Sequence, residues 1–224
     1  MSTFVLVHGA WHGGWCWKRV RGALQAQGYQ VFTPTLTGVA DRSHLLSREV
    51  NLETHITDVT NLILWEELSD VVLCGHSYGG AVISGVADRI ADRIGALVYL
   101  DAFVLENGQS VQDVLPTGQL GEDWKVPPIP AEVFNVNAKD RDWVNRQCTM
   151  QPLATFQQPI PLTGAIDRIK NVTFILAGGW GPTPFRPFYE QAKAKGWTTG
   201  SIECGHDVML DEPEALTEAL LAAR

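Results

Sequence analysis

Short apolar runs alternate along the chain with longer stretches of helical spacing. Phe4–His8 is a β-branched apolar run ending at a glycine, and Trp17–Gln27 then has helical spacing up to Gly28. Gln30–Phe32 reads as a second short strand closed by Pro34. Leu52, Ile56, Val59 and Ile63 recur at spacings of four, three and four, the stripe of one helix face. Val71–Gly75, Ala96–Asp101 and Val172–Ala177 read as buried strands, and Thr198–Glu203 as a last one. Helices are expected over Gly80–Ile90 and Pro187–Lys195. Asp211 reads as the cap of a final helix, with Pro213 in its first turn and Glu214–Ala223 continuing it. Strands that are apolar throughout, alternating with helices, predict an α/β fold whose mostly parallel sheet is covered on both faces.

One stretch breaks the rhythm. Between Val104 and Ile166 no clean strand is visible; prolines recur at 116, 127, 128, 130, 152, 159 and 161, among Trp124, Phe134, Trp143 and Phe156. A loop of that length inside a compact domain needs structure of its own, and the aromatic side chains need burial. The expectation is a core of residues 1–103 and 167–224, with residues 104–166 inserted as a small, mostly helical cap.

Composition narrows the partners. The chain has 224 residues, 45% hydrophobic and 19% charged, which is globular composition and fits one domain with an insertion. A formal charge of −8 argues against a nucleic acid or an anionic membrane as main partner, since both demand a basic footprint. No apolar run reaches the length of a membrane span. The start, Met1-Ser2-Thr3 followed at once by a strand, has no export signal, so a cytoplasmic location is expected. Cys16, Cys74, Cys148 and Cys204 are then read as free thiols. No metal-ligand spacing appears, and neither a metal nor a cofactor is expected.

The central motif is Gly75-His76-Ser77-Tyr78-Gly79-Gly80, preceded by a strand and followed by a helical pattern. In that context G-x-S-x-G is a tight turn that exposes the serine hydroxyl at the carboxyl end of a sheet. A serine needs a base, and His206 in Gly205-His206-Asp207 follows the last predicted strand, where a loop brings an imidazole over the sheet. An oxyanion needs two N–H donors. One is Tyr78, directly after the serine; the other is Ala10, in the loop His8-Gly9-Ala10-Trp11-His12-Gly13-Gly14-Trp15 after the first strand. That loop has neither phosphate-binding glycine pattern.

HGAWHGGWCW, GHSYGG and GHD, in this order, resemble the α/β-hydrolase family. The nearest likeness is to its small-capped branch of plant methylesterases, hydroxynitrile lyases and bacterial ester hydrolases such as pyrethroid hydrolases. The resemblance implies a Ser–His–acid triad of Ser77 and His206 with an acid, no cofactor, and a pocket between core and cap; homodimers are common in the family. Two departures follow. The related lyases have a threonine where this chain has Gly9 and a lysine where it has Asp207. A lyase needs a cation near its leaving cyanide, so Asp207 moves the expectation towards hydrolysis. The family's usual acid follows the penultimate strand, yet residues 177–185 hold no carboxylate. Asp101, ending the preceding core strand, is the best substitute and keeps the order Ser77, Asp101, His206. Asp207, Glu203, Glu106 and Glu190 are weaker rivals.

The expected pocket is apolar, drawn from Trp11, His12, His76, Phe103, Trp124, Phe134 and Trp180, with Trp15 and His44 nearby and Arg42 as the one cation that comes near the mouth. Such a pocket suits a small neutral carboxylic ester, carbamate or lactone. A carbon–carbon lyase, a cofactor-free oxygenase and a non-catalytic receptor on the same fold are the alternatives, because function belongs to the site and not to the fold.

Overall fold

The computed structural model describes residues 3–115, 120, 123–181 and 183–224. Its first half runs β1 (Thr3–Val7), α1 (Lys18–Ala26), β2 (Gln30–Phe32), α2 (Leu52–Trp65), β3 (Val71–His76), α3 (Gly79–Arg89) and β4 (Ile94–Leu100). The insertion holds α4 (Val111–Val114), β5 (Lys125–Val126), α5 (Arg141–Gln147), β6 (Gln151–Pro152) and α6 (Ala154–Gln157). The chain then returns through β7 (Val172–Ala177), α7 (Arg186–Ala194), β8 (Thr198–Ile202), α8 (Val208–Asp211) and α9 (Pro213–Ala222).

Six strands form one parallel sheet in the order β2-β1-β3-β4-β7-β8. The chain steps one way from β1 to β2 and the opposite way from β2 to β3. With right-handed crossovers this reversal puts α1 and α2 on opposite faces. Accordingly α2 packs on α3, while α1 packs on α9. Strands β1, β3 and β7 are buried along their whole length, as their unbroken apolar runs require. On α2, Leu52, Ile56, Val59 and Ile63 all face the core, and Asn51 and Thr54 close its N-terminus with reciprocal side-chain to backbone bonds. Strand order reverses between β1 and β3, and ligands of open α/β sheets bind beyond the carboxyl ends at such a point.

Two expectations change. The insertion is less helical than its sequence suggested: its helices have four to seven residues, and β5 pairs antiparallel with β6. The recurring prolines leave too few free N–H groups for longer helices. Asp211 does not cap the last helix but ends α8, and Glu212 takes the cap position. The Asp211 carboxylate accepts instead from the N–H groups of Gly205 (3.1 Å) and Asn137 (3.0 Å), tying the insertion to the loop before His206.

One anchor of the insertion to the core is Trp11. Trp11 N–H donates to Gln151 Oε1 and its indole N–H to the Val126 carbonyl, each at 3.1 Å. The Trp11 carbonyl accepts from Thr149 N–H at 3.0 Å. Arg19 on α1 adds a two-pronged bond to Asp140, both arms 2.7 Å. No described helix is long and apolar enough to cross a membrane.

Candidate active site

Three residues in the left-handed region, Trp11 (φ 65°), Ser77 (φ 54°) and Asp101 (φ 42°), follow β1, β3 and β4, strands adjacent in the sheet. This conformation costs a non-glycine residue about 1–3 kcal/mol and persists only where the surroundings enforce it, typically at functional sites. At Ser77 the enforcement is visible. Its N–H donates to the Leu100 carbonyl (3.2 Å), and its carbonyl accepts from Gly80 (3.0 Å) and Phe103 (3.2 Å). Gly79 makes the elbow sterically feasible, since a Cβ there would lie 2.8 Å from the carbonyl oxygens of Val7 and His8.

Asp101 is fully buried and collects three donors. Oδ2 accepts from His206 Nδ1 at 2.6 Å and from Trp180 Nε1 at 3.2 Å, while Oδ1 accepts from Ala177 N–H at 3.2 Å. Three donors fix the carboxylate in direction. With Nδ1 donating to Asp101, the neutral His206 ring keeps its lone pair on Nε2, the tautomer a general base needs. The ring is held between aromatic neighbours: Phe185 stacks on it at 5.0 Å and Trp180 at 4.8 Å, and Phe134 lies at 5.1 Å. Its backbone N–H donates to the Phe134 carbonyl, and its carbonyl accepts from His76 Nε2 at 3.0 Å.

Ser77, His206, Ala10 and Tyr78 meet on the wall of one cavity of about 550 Å³ between core and insertion. Trp11, Phe103, Phe134 and Trp180 line it, together with the proline-rich stretch Val126–Pro130 and with Phe156, Pro184 and Phe185. Among the described residues that line it, His206 alone carries an imidazole, and none carries a carboxylate, an ammonium or a guanidinium group. The indole N–H groups of Trp11 and Trp180 and the Tyr78 hydroxyl are already bonded, to Val126, Asp101 and His55 respectively.

Several residues expected at the pocket lie elsewhere. His12 is buried behind the wall, bonded to Ala10 O and Asp207 Oδ2. His76 is fully buried with its ring 4.4 Å from that of His206, held back by the bond to the His206 carbonyl. Trp124 is half-buried and off the cavity wall, beneath the Arg48 guanidinium at 5.2 Å. Trp15 stacks on His12 and meets Trp143 edge-on, away from the cavity. Arg42 pairs with Asp58 and the Thr35 carbonyl, and neither it nor His44 lines the cavity.

Phe156 and Phe185 also line the cavity and Gln151 holds Trp11, and no motif in the chain points to them; Gln151 lies in an insertion whose folding no periodicity reveals.

Burial pushes His8 down to about 3 and His55 to about 4, and holds His76 well below its ordinary value with help from the neighbouring His206. Gly9 allows this packing: a Cβ there would lie 2.9 Å from both His76 Nδ1 and Ser77 Cβ, so the threonine of the lyases has no room. Asp207 is fully buried and off the cavity wall, so its charge does not face a leaving group. Among the described residues no cluster of three or more His, Cys, Asp or Glu side chains is arranged to hold a metal ion.

Comparison with known proteins agrees with this architecture. A carbendazim hydrolyzing esterase of Nocardioides sp. is 50% identical over 240 aligned residues, spanning 99% of both chains. A pyrethroid hydrolase of Sphingobium wenxiniae is 33% identical over 121 residues, 53% of this chain and 42% of that one. The solved structure of an extracellular alpha/beta-hydrolase from a Paenibacillus species superposes over 100% of this chain and 99% of its own, with a TM-score of 0.85 at 24% identity, a likeness of fold. Residues 4–219 match the alpha/beta hydrolase family. The protein belongs to the alpha/beta hydrolase family, and its full-length likeness to an esterase makes it a hydrolase of the esterase type.

Proposed function

We propose that the protein is a serine hydrolase that cleaves a neutral ester or carbamate carrying a planar aromatic group, through an acyl-enzyme intermediate. The 2.6 Å bond from His206 Nδ1 to buried Asp101 carries this reading, because it gives His206 the basic Nε2 on the cavity wall that Ser77 shares. Ser77 Oγ attacks the carbonyl while His206 takes its proton, and the Ala10 and Tyr78 N–H groups stabilise the oxyanion. The C–O bond to the leaving group then breaks, and His206 returns the proton to that oxygen. His206 next takes a proton from water as it attacks the acyl carbon, and returns it to Ser77 Oγ as the acyl C–O bond breaks, freeing the acid and the serine.

The substrate class follows from the lining. Aromatic faces and proline rings surround the serine, and the aromatic polar atoms are already bonded within the protein. A charged substrate would lose its hydration there without a partner. Carbendazim, a methyl carbamate on a planar heteroaromatic ring, is such a neutral compound and is named for the 50% identical relative. The test is hydrolysis of carbendazim and p-nitrophenyl butyrate beside an anionic p-nitrophenyl hemisuccinate, with Ser77→Ala as control. The neutral compounds should be turned over with kcat/KM at least tenfold above the anionic one. Preference for the anion would overturn the substrate class, and turnover surviving in Ser77→Ala would overturn the mechanism.

A further inference from the structure

Five histidines are buried around the site, and for two of them, His8 and His12, the hydrogen-bond partners fix the proton count. His8 has the Gly9 carbonyl at Nδ1 (2.8 Å) and the Leu36 N–H at Nε2 (3.0 Å), one acceptor and one donor, so its ring is neutral. His55 has the Thr37 carbonyl at Nε2 and the Tyr78 hydroxyl, a possible donor, at Nδ1. His76 bonds through Nε2 alone, its Nδ1 unpartnered. His206 bonds through Nδ1 to Asp101. His12 differs from all four: Nδ1 lies 2.8 Å from the Ala10 carbonyl and Nε2 lies 3.0 Å from the Asp207 carboxylate. Both partners only accept, so both ring nitrogens must carry a hydrogen.

We propose that His12 is a doubly protonated positioning residue. With Asp207 it forms a buried imidazolium–carboxylate pair that clamps the Ala10 loop to the loop carrying His206. The chain positions make this a direct link. His12 holds the carbonyl of the residue expected to stabilise the oxyanion, and Asp207 is the immediate neighbour of the expected base. Trp11, between Ala10 and His12, is in the left-handed region, so the His12–Ala10 bond closes a turn that would otherwise relax. Neither His12 nor Asp207 lines the cavity, so the pair acts on reaction geometry and not on substrate contact.

The groups facing His12 are few. Asp207 precedes α8, Cys148 follows α5, His76 ends β3, His8 follows β1 and Cys16 lies just before α1; Trp15 stacks on the ring at 5.2 Å. Burial keeps His8 and His76 neutral and pushes the Cys16 thiol up. Cys148 Sγ is 4.0 Å from both ring nitrogens, so it lies beside the ring and displaces neither hydrogen bond. Burial alone would lower His12 as well, but the charge and hydrogen bond of Asp207, with a contribution from Cys148, outweigh it.

The proposal deepens the serine-hydrolase reading, and the test separates their failures. Nitrogen-15 NMR of histidine-labelled wild-type protein reads the ring directly, whatever the reaction. At pH 7.5 His12 should show two protonated nitrogens while His8 shows one; a neutral His12 overturns the proposal. In Asp207→Asn and His12→Gln, kcat should fall about 10- to 100-fold with KM within about twofold, as expected when reacting groups shift by a fraction of an ångström. Ser77 should still take a fluorophosphonate label in both variants, which keeps a failed clamp distinct from a wrong nucleophile. Unchanged kcat, or a loss seen only in KM, overturns the positioning role. Should either variant fail to fold, wild-type protein decides: the alkaline fall in kcat must share its midpoint with the His12 titration, and a different midpoint or no fall overturns the proposal.

Discussion

His206 Nδ1 lies 2.6 Å from Oδ2 of Asp101, a residue 105 positions earlier in the chain at the end of β4. The same oxygen accepts from Trp180 Nε1, and the other accepts from Ala177 N–H. In the proposed mechanism Asp101 acts from β4 as the acid of the triad, and Ala177 and Trp180, at and after the end of β7, donate to it.

Replacing Asp101 by Asn should switch off the base without unfolding the protein. The amide oxygen would turn to Ala177 N–H and the amide N–H₂ towards His206, forcing the ring into the tautomer that cannot accept the serine proton. The expected loss is about 10³–10⁴-fold in kcat with little change in KM. A variant with near-normal turnover would show that Asp101 is not the acid.

Trp180 both stacks on His206 and donates to Asp101. Trp180→Phe keeps an aromatic ring and removes the donor. A hydrogen bond to a charged group is worth about 1.5–3 kcal/mol, and this oxygen keeps its stronger partner, so a fall of about tenfold in acylation rate is expected. Stopped-flow acylation by p-nitrophenyl butyrate measures it, and an unchanged rate would make the indole purely a cavity wall.

The buried histidines set the pH dependence of stability. His8 and His55 titrate near 3 and 4 in the folded chain because burial disfavours their charged forms, against about 6.5 when unfolded. His76 is shifted the same way. Below about pH 6.5 the unfolded chain therefore binds more protons, and stability falls with pH by up to about 1.4 kcal/mol per unit for each histidine. His12 is raised, so its contribution is complete below 6.5 and is lost as pH rises through its folded value. Urea midpoints should peak near pH 6.5–7 and decline on both sides; a flat profile from pH 8 to 5 would contradict these proton counts.

Gly9 and His76 occupy one space. Gly9→Thr should lower stability by about 1–3 kcal/mol through overpacking and reduce kcat by displacing Ser77. Adding His76→Ala should restore part of both, measurable as a coupling in a double-mutant cycle. Additive effects would mean the two residues do not compete.

Much of this arrangement is legible in the chain. Continuous apolar runs identify β1, β3, β4 and β7, and Gly75–Gly80 between a strand and a helix identifies the elbow, because local pattern and turn chemistry act there over a few residues. Asp101 is reached from the absence of a carboxylate in residues 177–185, an argument from position along the sheet, and its carboxylate is the one bonded to His206 Nδ1. The errors share one cause. His12, His76 and Trp124 were read as pocket residues because they sit in or beside the right loops, yet which way a loop side chain turns depends on partners far away in sequence. His12 turns inward to Asp207, 195 positions later, and Trp124 packs under Arg48. The insertion carries little periodicity, and its attachment through Gln151 and Thr149 to Trp11 is equally non-local.

The central claim is that Ser77 is an activated nucleophile. The most direct test is a fluorophosphonate followed by intact mass and peptide mapping, beside the burst of p-nitrophenol from p-nitrophenyl acetate. One adduct per chain, mapped to Ser77 and absent from Ser77→Ala, with a burst equal to the enzyme concentration, is the predicted result. Folded wild-type protein that takes no adduct and gives no burst would contradict the account.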